Sequence, residues 1–202
     1  MKIIGLCGGS GCGKGTVCLQ FLNYDIPSID TDAVYHEITS HDSSCMRALV
    51  DEFGECVTTE RGGLDRSRLR EIIFGDGDSS SCLKRLNEIT HGYILDETRR
   101  RISDYEKMGK KFVIVDAPLL FESGFDSECQ ITICVTAPID TRIERIVARD
   151  GISPLQAEKR IKSQISDDIL RTKCDYEIVN EGNIQELEKK ISALVNILNE
   201  NY

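Results

Sequence analysis

Residues 8–16 read Gly8-Gly9-Ser10-Gly11-Cys12-Gly13-Lys14-Gly15-Thr16, and their types suit one task, the handling of phosphate. Glycines let successive backbone N–H groups converge on phosphate oxygens, and Lys14 can reach the terminal phosphates of a bound triphosphate. The apolar run Ile3-Ile4-Gly5-Leu6-Cys7 before the loop reads as a buried strand. Val17-Cys18-Leu19-Gln20-Phe21-Leu22 after it reads as a helix, whose N-terminus adds partial positive charge. The spacing Gly8-x-x-x-x-Gly13-Lys14 fits the P-loop pattern, but Gly15 follows where serine or threonine is expected. Thr16 is then the nearby hydroxyl for a magnesium ion. The cradle is assigned to Gly9, Ser10, Gly11, Cys12, Gly13, Lys14, Gly15 and Thr16. A turn without a ligand would gain nothing from so many glycines, which cost conformational entropy on folding. A dinucleotide site would need Gly-x-Gly-x-x-Gly; that register is absent and Lys14 is foreign to it, so Asp30 is not a ribose-binding acid of that kind. The loop predicts binding of a nucleoside triphosphate.

Other residues could complete the chemistry. Ile26-Pro27-Ser28-Ile29-Asp30 reads as a second strand ending in acids, with Thr31 onward starting a helix capped by Asp30 or Thr31. Asp30 and Asp32 therefore fall at the carboxyl end of a parallel strand, the edge of an open α/β sheet where ligands bind. Phe112-Val113-Ile114-Val115-Asp116 is a further buried strand, and Asp116 stands where P-loop proteins place an acid that helps organise magnesium. The alternative for Asp116 is a loop-start acid capping a backbone N–H. A strand over 131–135 leads into a helix over 139–149 with Pro138 in its first turn. Ile139, Ile143, Ile146 and Val147 make that helix's buried face; Arg142, Arg145 and Arg149 share another. Such a stripe is commonly solvated, but at the end of this sheet at least one of the three is expected to contact phosphate. Gly151 breaks the helix, and Ser153-Pro154-Leu155-Gln156 opens the next, over 154–164, in capping-box form. That short helix carries Lys159, Arg160 and Lys162 and reads as a lid over phosphates.

These elements imply an α/β fold: a five-stranded parallel sheet flanked by helices, with a helical insertion and a short lid. The expected organisation is a single P-loop kinase domain over 1–202. Its core would be 1–30 and 110–202, the insertion about 31–109, and the lid about 150–164. Within the insertion, helices are expected over 45–53 and 66–74, the latter capped by Asp65. A breaker cluster follows at Gly75-Asp76-Gly77-Asp78-Ser79-Ser80-Ser81, then a longer helix from His91 towards Met108, closed by Gly109. Tyr176-Glu177-Ile178-Val179-Asn180 is the last strand, and Ile184, Leu187, Ile191, Leu194, Val195 and Leu198 define an amphipathic C-terminal helix.

Composition narrows the classes. The net charge of −9 and the lack of a basic run argue against a nucleic-acid partner. No apolar segment approaches membrane-spanning length, and the first strand begins at once, so neither membrane nor signal peptide is expected and the location is read as cytoplasmic. No obligate protein partner is implied. The nine cysteines are odd in number with no Cys-x-x-Cys, which favours buried free thiols over disulfides or metal; Cys12, inside the loop, stands out as a candidate for oxidation.

Taken in order, the motifs resemble the dephospho-CoA kinase family nearly end to end. The resemblance rests on the loop, on Ile29-Asp30-Thr31-Asp32, on Phe53-Gly54 with Leu64-Asp65-Arg66 and Leu69, and on Leu86-Asn87-x-Ile89-Thr90-His91. It continues through Asp116-Ala117-Pro118-Leu119-Leu120-Phe121-Glu122, Arg145-x-x-x-Arg149-Asp150, Arg160-x-x-x-Gln164 and Asp175-Tyr176-x-Ile178-x-Asn180. It implies transfer of the ATP γ-phosphoryl group to the ribose 3′-hydroxyl of dephospho-CoA, with magnesium. Asp32 would be the base; Lys14, Arg145, Arg149 and Arg160 would stabilise the transferred charge; Asn180 would join the ATP site. Tyr35, His36, His91, Leu119 and Leu120 would hold the acceptor, His91 having a helix-start histidine bonded to backbone as its alternative. Asp32 has its own alternative, a first-turn acid favoured by the helix dipole. Thr16 and Asp116 are the candidate metal ligands. Two departures stand: Gly15, a form seen in adenylate kinases, where the family usually has serine, and Gly92 where it usually has proline. The competing readings are a nucleoside-monophosphate kinase, which Gly15 favours, and a non-catalytic nucleotide-binding regulator. A guanine-reading Asn-Lys-x-Asp motif is absent.

Overall fold

The structure is a computed structural model that describes residues 1–75 and 79–202. The strands are β1 (Lys2–Cys7), β2 (Ser28–Asp30), β3 (Phe112–Asp116), β4 (Ile131–Thr136) and β5 (Tyr176–Val179), in the sheet order β2-β3-β1-β4-β5. The pairings of β1 with β3 and β4, and of β4 with β5, are parallel, with Leu6 opposite Asp116 and Cys7 opposite Cys134. The three central strands are apolar almost throughout, as a parallel sheet covered on both faces requires. The edge strand β5 is only partly buried. Because β1 has β3 on one side and β4 on the other, the loop after β1 opens at the point where strand order reverses. That is the crevice in which open α/β sheets bind ligands.

The chain divides into two compact units, one of residues 1–29 and 104–202 and one of residues 30–103. The first unit packs α1 (Lys14–Leu22), α6 (Ile139–Asp150), α7 (Pro154–Lys162), α8 (Asp167–Lys173) and α9 (Ile184–Asn201) with the sheet. Its core joins Ile4, Leu6, Ile114 and Ile133 of the sheet to Phe21 of α1 and to Leu187, Ile191 and Leu198 of α9. The second unit holds α2 (Thr31–Ile38), α3 (Ser44–Phe53), α4 (Arg66–Phe74) and most of α5 (Ser79–Lys107). Its own core is Cys45, Met46, Leu49, Val57, Leu64, Leu69 and Ile73.

Local signals set most boundaries. Asp30, Asp65 and Asn183 cap α2, α4 and α9 through their side chains, and Ser153 with Gln156 closes the expected capping box of α7. Three differences from the sequence reading have physical reasons. Helix α5 runs unbroken from Ser79, because Leu83, Leu86 and Ile89 continue its period; Gly92 sits inside it at the usual cost of about 1 kcal/mol against alanine. Residues 76–78 of the expected breaker cluster lie outside the described residues. Pro138 is the N-cap of α6 rather than part of its first turn, its extended ψ of 142° leading the chain into the helix. The seven-residue α8, capped by Ser166, was not expected; it is too short for a periodic signal. No helix among the described residues is long and apolar enough to cross a membrane.

Phe21 is fully buried where α1 meets the sheet and α9. Phe21→Ala should therefore cost about 3–5 kcal/mol of stability, read as a lowered urea midpoint with little change in slope.

Candidate active site

In the first unit the phosphate loop is held from several sides. Lys14, the first residue of α1, donates from Nζ to the Gly8 carbonyl at 3.0 Å and stands 3.9 Å from Asp116 Oδ1. Asp116 ends β3 beside Leu6, and the Cys18 thiol lies 4.0 Å from its Oδ2. Thus the acid and the lysine named from the sequence come together at the strand ends, the acid largely buried and the lysine cation beside it. Thr16 and Gly15 are exposed in the first turn of α1.

The back of the loop is braced by longer side chains. Asn180, just past β5 and 6% exposed, donates from Nδ2 to the Cys12 carbonyl at 2.8 Å. Arg145 of α6 donates to the carbonyls of Gly11 at 3.2 Å, Cys12 at 3.4 Å and Asn180 at 3.4 Å. Both residues therefore meet the loop through its carbonyls, which point away from the N–H groups a phosphate would use. Glycine is required where these braces approach. A side chain at Gly13, which also has φ of +90°, would overlap the Asn180 amide, whereas nothing lies within 4 Å of a Cβ at Gly15. A cavity of 180 Å³ opens beside these residues, lined by Gly13, Thr16, Arg145, Asn180, Gly182 and Ile184 among others. A second, of 190 Å³, lies on the other side of the loop, against Gly8, Gly9, Leu119, Glu122 and Gln164.

Arg149 and Arg160 do not reach the loop. Both are paired to the Asp150 carboxylate, Arg149 at 2.7 Å and Arg160 from α7 on its other oxygen. Hydrogen bonds from Arg149 and then Arg160 hold the Asp150 carboxyl down to about 2. A carboxylate depressed in this way stabilises the fold above its unfolded value near 4 and loses that contribution only as pH falls through about 2. The triad thus keeps its charge at any ordinary working pH.

Two assignments need correction. Leu120 is fully buried against β1, where its methyls fill the space over Gly5, so it is a core residue and not an acceptor contact; its neighbour Leu119 is exposed and lines the second cavity. Cys12 is 1% exposed, and burial pushes its thiol above the usual range despite Lys14 and Arg142 nearby. It offers the loop its backbone, and its side chain is no candidate for oxidation. All nine cysteines are free thiols, with Cys56 exposed.

In the second unit, Asp30 Oδ1 accepts the N–H groups of Asp32 and Ala33, which fixes the first turn of α2 and leaves the Asp32 side chain exposed. Tyr35 packs against His36 with ring centroids 5.9 Å apart, and the Arg66 guanidinium lies 5.7 Å over the Tyr35 ring while donating to Thr39. His91 is partly exposed twelve residues into α5, which removes its reading as a helix-start histidine. The sequence reading gave no individual role to Gln164, Asp150 or Asp167, and it took Arg142 only as one of three arginines of which at least one was expected to contact phosphate. The arginine stripe marked the face of Arg142, but helical periodicity does not say which loop that face will meet.

A glycine loop between the first strand and first helix, at the reversal point of a parallel sheet and with its lysine beside the acid of β3, defines a P-loop kinase fold. The dephospho-CoA kinase family model matches residues 2–186. A dephospho-CoA kinase from Lactobacillus johnsonii is 34% identical over 192 residues, covering 95% of this chain and 96% of the relative. One from Bdellovibrio bacteriovorus is 36% identical over 200 residues, covering 99% of this chain and 98% of its own. A crystal structure from Thermus thermophilus matches with a TM-score of 0.79 at 28% identity, covering 98% of this chain and 97% of the other. The chain belongs to the dephospho-CoA kinase family.

Two measurements test this geometry. Gly13→Ala should lose about 1–3 kcal/mol of stability, from strained backbone and the Asn180 overlap, while Gly15→Ser stays within about 0.5 kcal/mol of the parent in thermal unfolding. At pH 8, iodoacetamide should label Cys56 in the folded protein and leave Cys12 unlabelled; rapid labelling of Cys12 would contradict its burial.

Proposed function

We propose that this chain is an ATP-dependent dephospho-CoA kinase acting in the cytoplasm: it transfers the γ-phosphoryl group of ATP to the ribose 3′-hydroxyl, giving coenzyme A and ADP. The observation that carries this reading is the full-length match to dephospho-CoA kinases together with an intact phosphate loop and its lysine. The loop N–H groups and Lys14 would hold the β- and γ-phosphates. The cavity beside Arg145, Asn180 and Gly182 suits the base and ribose of ATP.

The acceptor hydroxyl is a weak nucleophile and must lose its proton as its oxygen bonds to the γ-phosphorus and the bond to the β,γ-bridging oxygen breaks. Asp32 is our candidate to take that proton: its carboxylate is exposed on a first helical turn fixed by Asp30, and it matches the family pattern. Residues 30–103 would form the acceptor-binding unit, with Tyr35, His36 and His91 as contacts, and the exposed Leu119 would meet the apolar pantetheine arm. Helix α7 would close as a lid, bringing Arg160 to the transferred charge beside Arg149 at the end of α6 and excluding water that would compete as acceptor. Oxygen donors suit magnesium, and the exposed Thr16 hydroxyl and the Asp116 carboxylate beside Lys14 are a fitting pair. Bound by them, the ion would neutralise charge on the phosphate oxygens.

The test is ADP release from ATP and magnesium with dephospho-CoA, AMP, CMP or adenosine offered separately. A large acceptor-dependent rate with dephospho-CoA alone is expected. A preference for a nucleoside monophosphate would point back to Gly15 and the rival kinase reading, and no acceptor-dependent rate with ATP still bound would indicate a regulator. Asp32→Asn should lower kcat by about 10²–10⁴ with ATP affinity retained.

A further inference from the structure

Ser10 sits at the tip of the phosphate loop between two glycines, and both of its backbone polar groups are held by side chains remote in sequence. Its N–H donates to Gln164 Oε1 at 2.8 Å, and its carbonyl accepts from Arg142 Nε at 2.9 Å. Arg142 is 4% exposed, and its Nη1 is paired at 2.9 Å with the Asp167 carboxylate in the first turn of α8. A side chain at Gly9 would overlap Arg142 Nη2 and crowd Gln164 Oε1 at 3.2 Å, so the loop residue is cut away to admit the clamp. The arrangement joins three segments: the loop, helix α6, and the connection from α7 to α8.

A buried guanidinium persists only with its charge answered, and removing one partner of such a pair is far more damaging than lacking both. Asp167 supplies the answer, so the orientation of Arg142, and with it the Ser10 carbonyl, depends on a residue that does not itself touch the loop. We propose that Arg142 and Gln164 are positioning residues that set the tip of the phosphate loop before nucleotide arrives, and that Asp167 acts through Arg142 to keep it set. The inference rests on the reading of this loop as the ATP site. Gln164 also lines the 190 Å³ cavity with Leu119 and Glu122, so the residue that fixes the loop tip forms part of the wall of that neighbouring space.

Arg142→Ala would leave a buried void and is a poor test, but Asp167→Asn keeps the shape and removes only the charge, and Gln164→Ala removes only the second contact. In the ligand-free protein, hydrogen exchange across residues 8–13 should speed up about tenfold or more in each, with Asp167→Glu restoring protection. By titration calorimetry, ATP should bind about tenfold more weakly to Asp167→Asn, as for loss of one charge-assisted hydrogen bond, with the KM for dephospho-CoA within about twofold of the parent. Unchanged loop exchange in Asp167→Asn and Gln164→Ala, with only the melting temperature lowered, would overturn the clamp. So would a loss that falls on dephospho-CoA binding instead of ATP. Failure of the parent protein to bind ATP would sink the nucleotide reading by itself, and the exchange measurement would still decide the clamp.

Discussion

Glycine opens a backbone to close approach and in the same step removes the side chains that would fix it. The loop over residues 8–15 carries that contradiction in full, and the first unit is arranged around resolving it. Lys14 ties its start, Arg145 and Asn180 hold the carbonyls of Gly11 and Cys12, and Arg142 with Gln164 takes both polar groups of Ser10. Of these contacts the one from Asn180 to the Cys12 carbonyl is buried, where an unpaired backbone group costs about 1–3 kcal/mol. The loop's shape is therefore a property of β1, α6, β5 and the approach to α8 together.

Much of this was legible in the sequence because its signals are local. Alternation of apolar runs with capped amphipathic stretches placed the strands and most helices, since Asp30, Asp65, Ser153 and Asn183 each act on backbone groups two or three residues away. The glycine–lysine spacing located the phosphate loop for the same reason. The beginning of α5 was misplaced because the breaker and cap cluster that ends at Ser81 reads as delaying the helix to His91, while the apolar spacing of Leu83, Leu86 and Ile89 carries it from Ser79.

What was not legible is long-range. That Leu120 turns into the core while Leu119 faces out depends on which of two adjacent leucines covers Gly5. The burial of Cys12 depends on its joining the core that α1, β4 and α9 build together, and no property of the loop's own sequence reports that. Arg142, Gln164 and Asp167 are separated from Ser10 by 132, 154 and, through the arginine, a further 25 residues. Charge and periodicity show that such residues exist, but pairing across those separations is decided by the sheet order.

The arginines of α6 and α7 show how the same side chain takes different work from its surroundings. Arg142 and Arg145 spend their donors on backbone carbonyls and, for Arg142, on a carboxylate; withdrawing either would take those partners away. Arg149 and Arg160 are exposed and share one carboxylate, Asp150, beside the left-handed Gly151 that ends α6. Ion pairs in water are worth about 0–1 kcal/mol, so these two can exchange Asp150 for a phosphate at small cost. The same charges gain several-fold in strength once water is excluded. On the function proposed above, that gain would reach Arg149 and Arg160 only if the segment carrying Arg160 closed over the bound phosphates. Arg142 and Arg145, by contrast, already hold carbonyls of the loop itself.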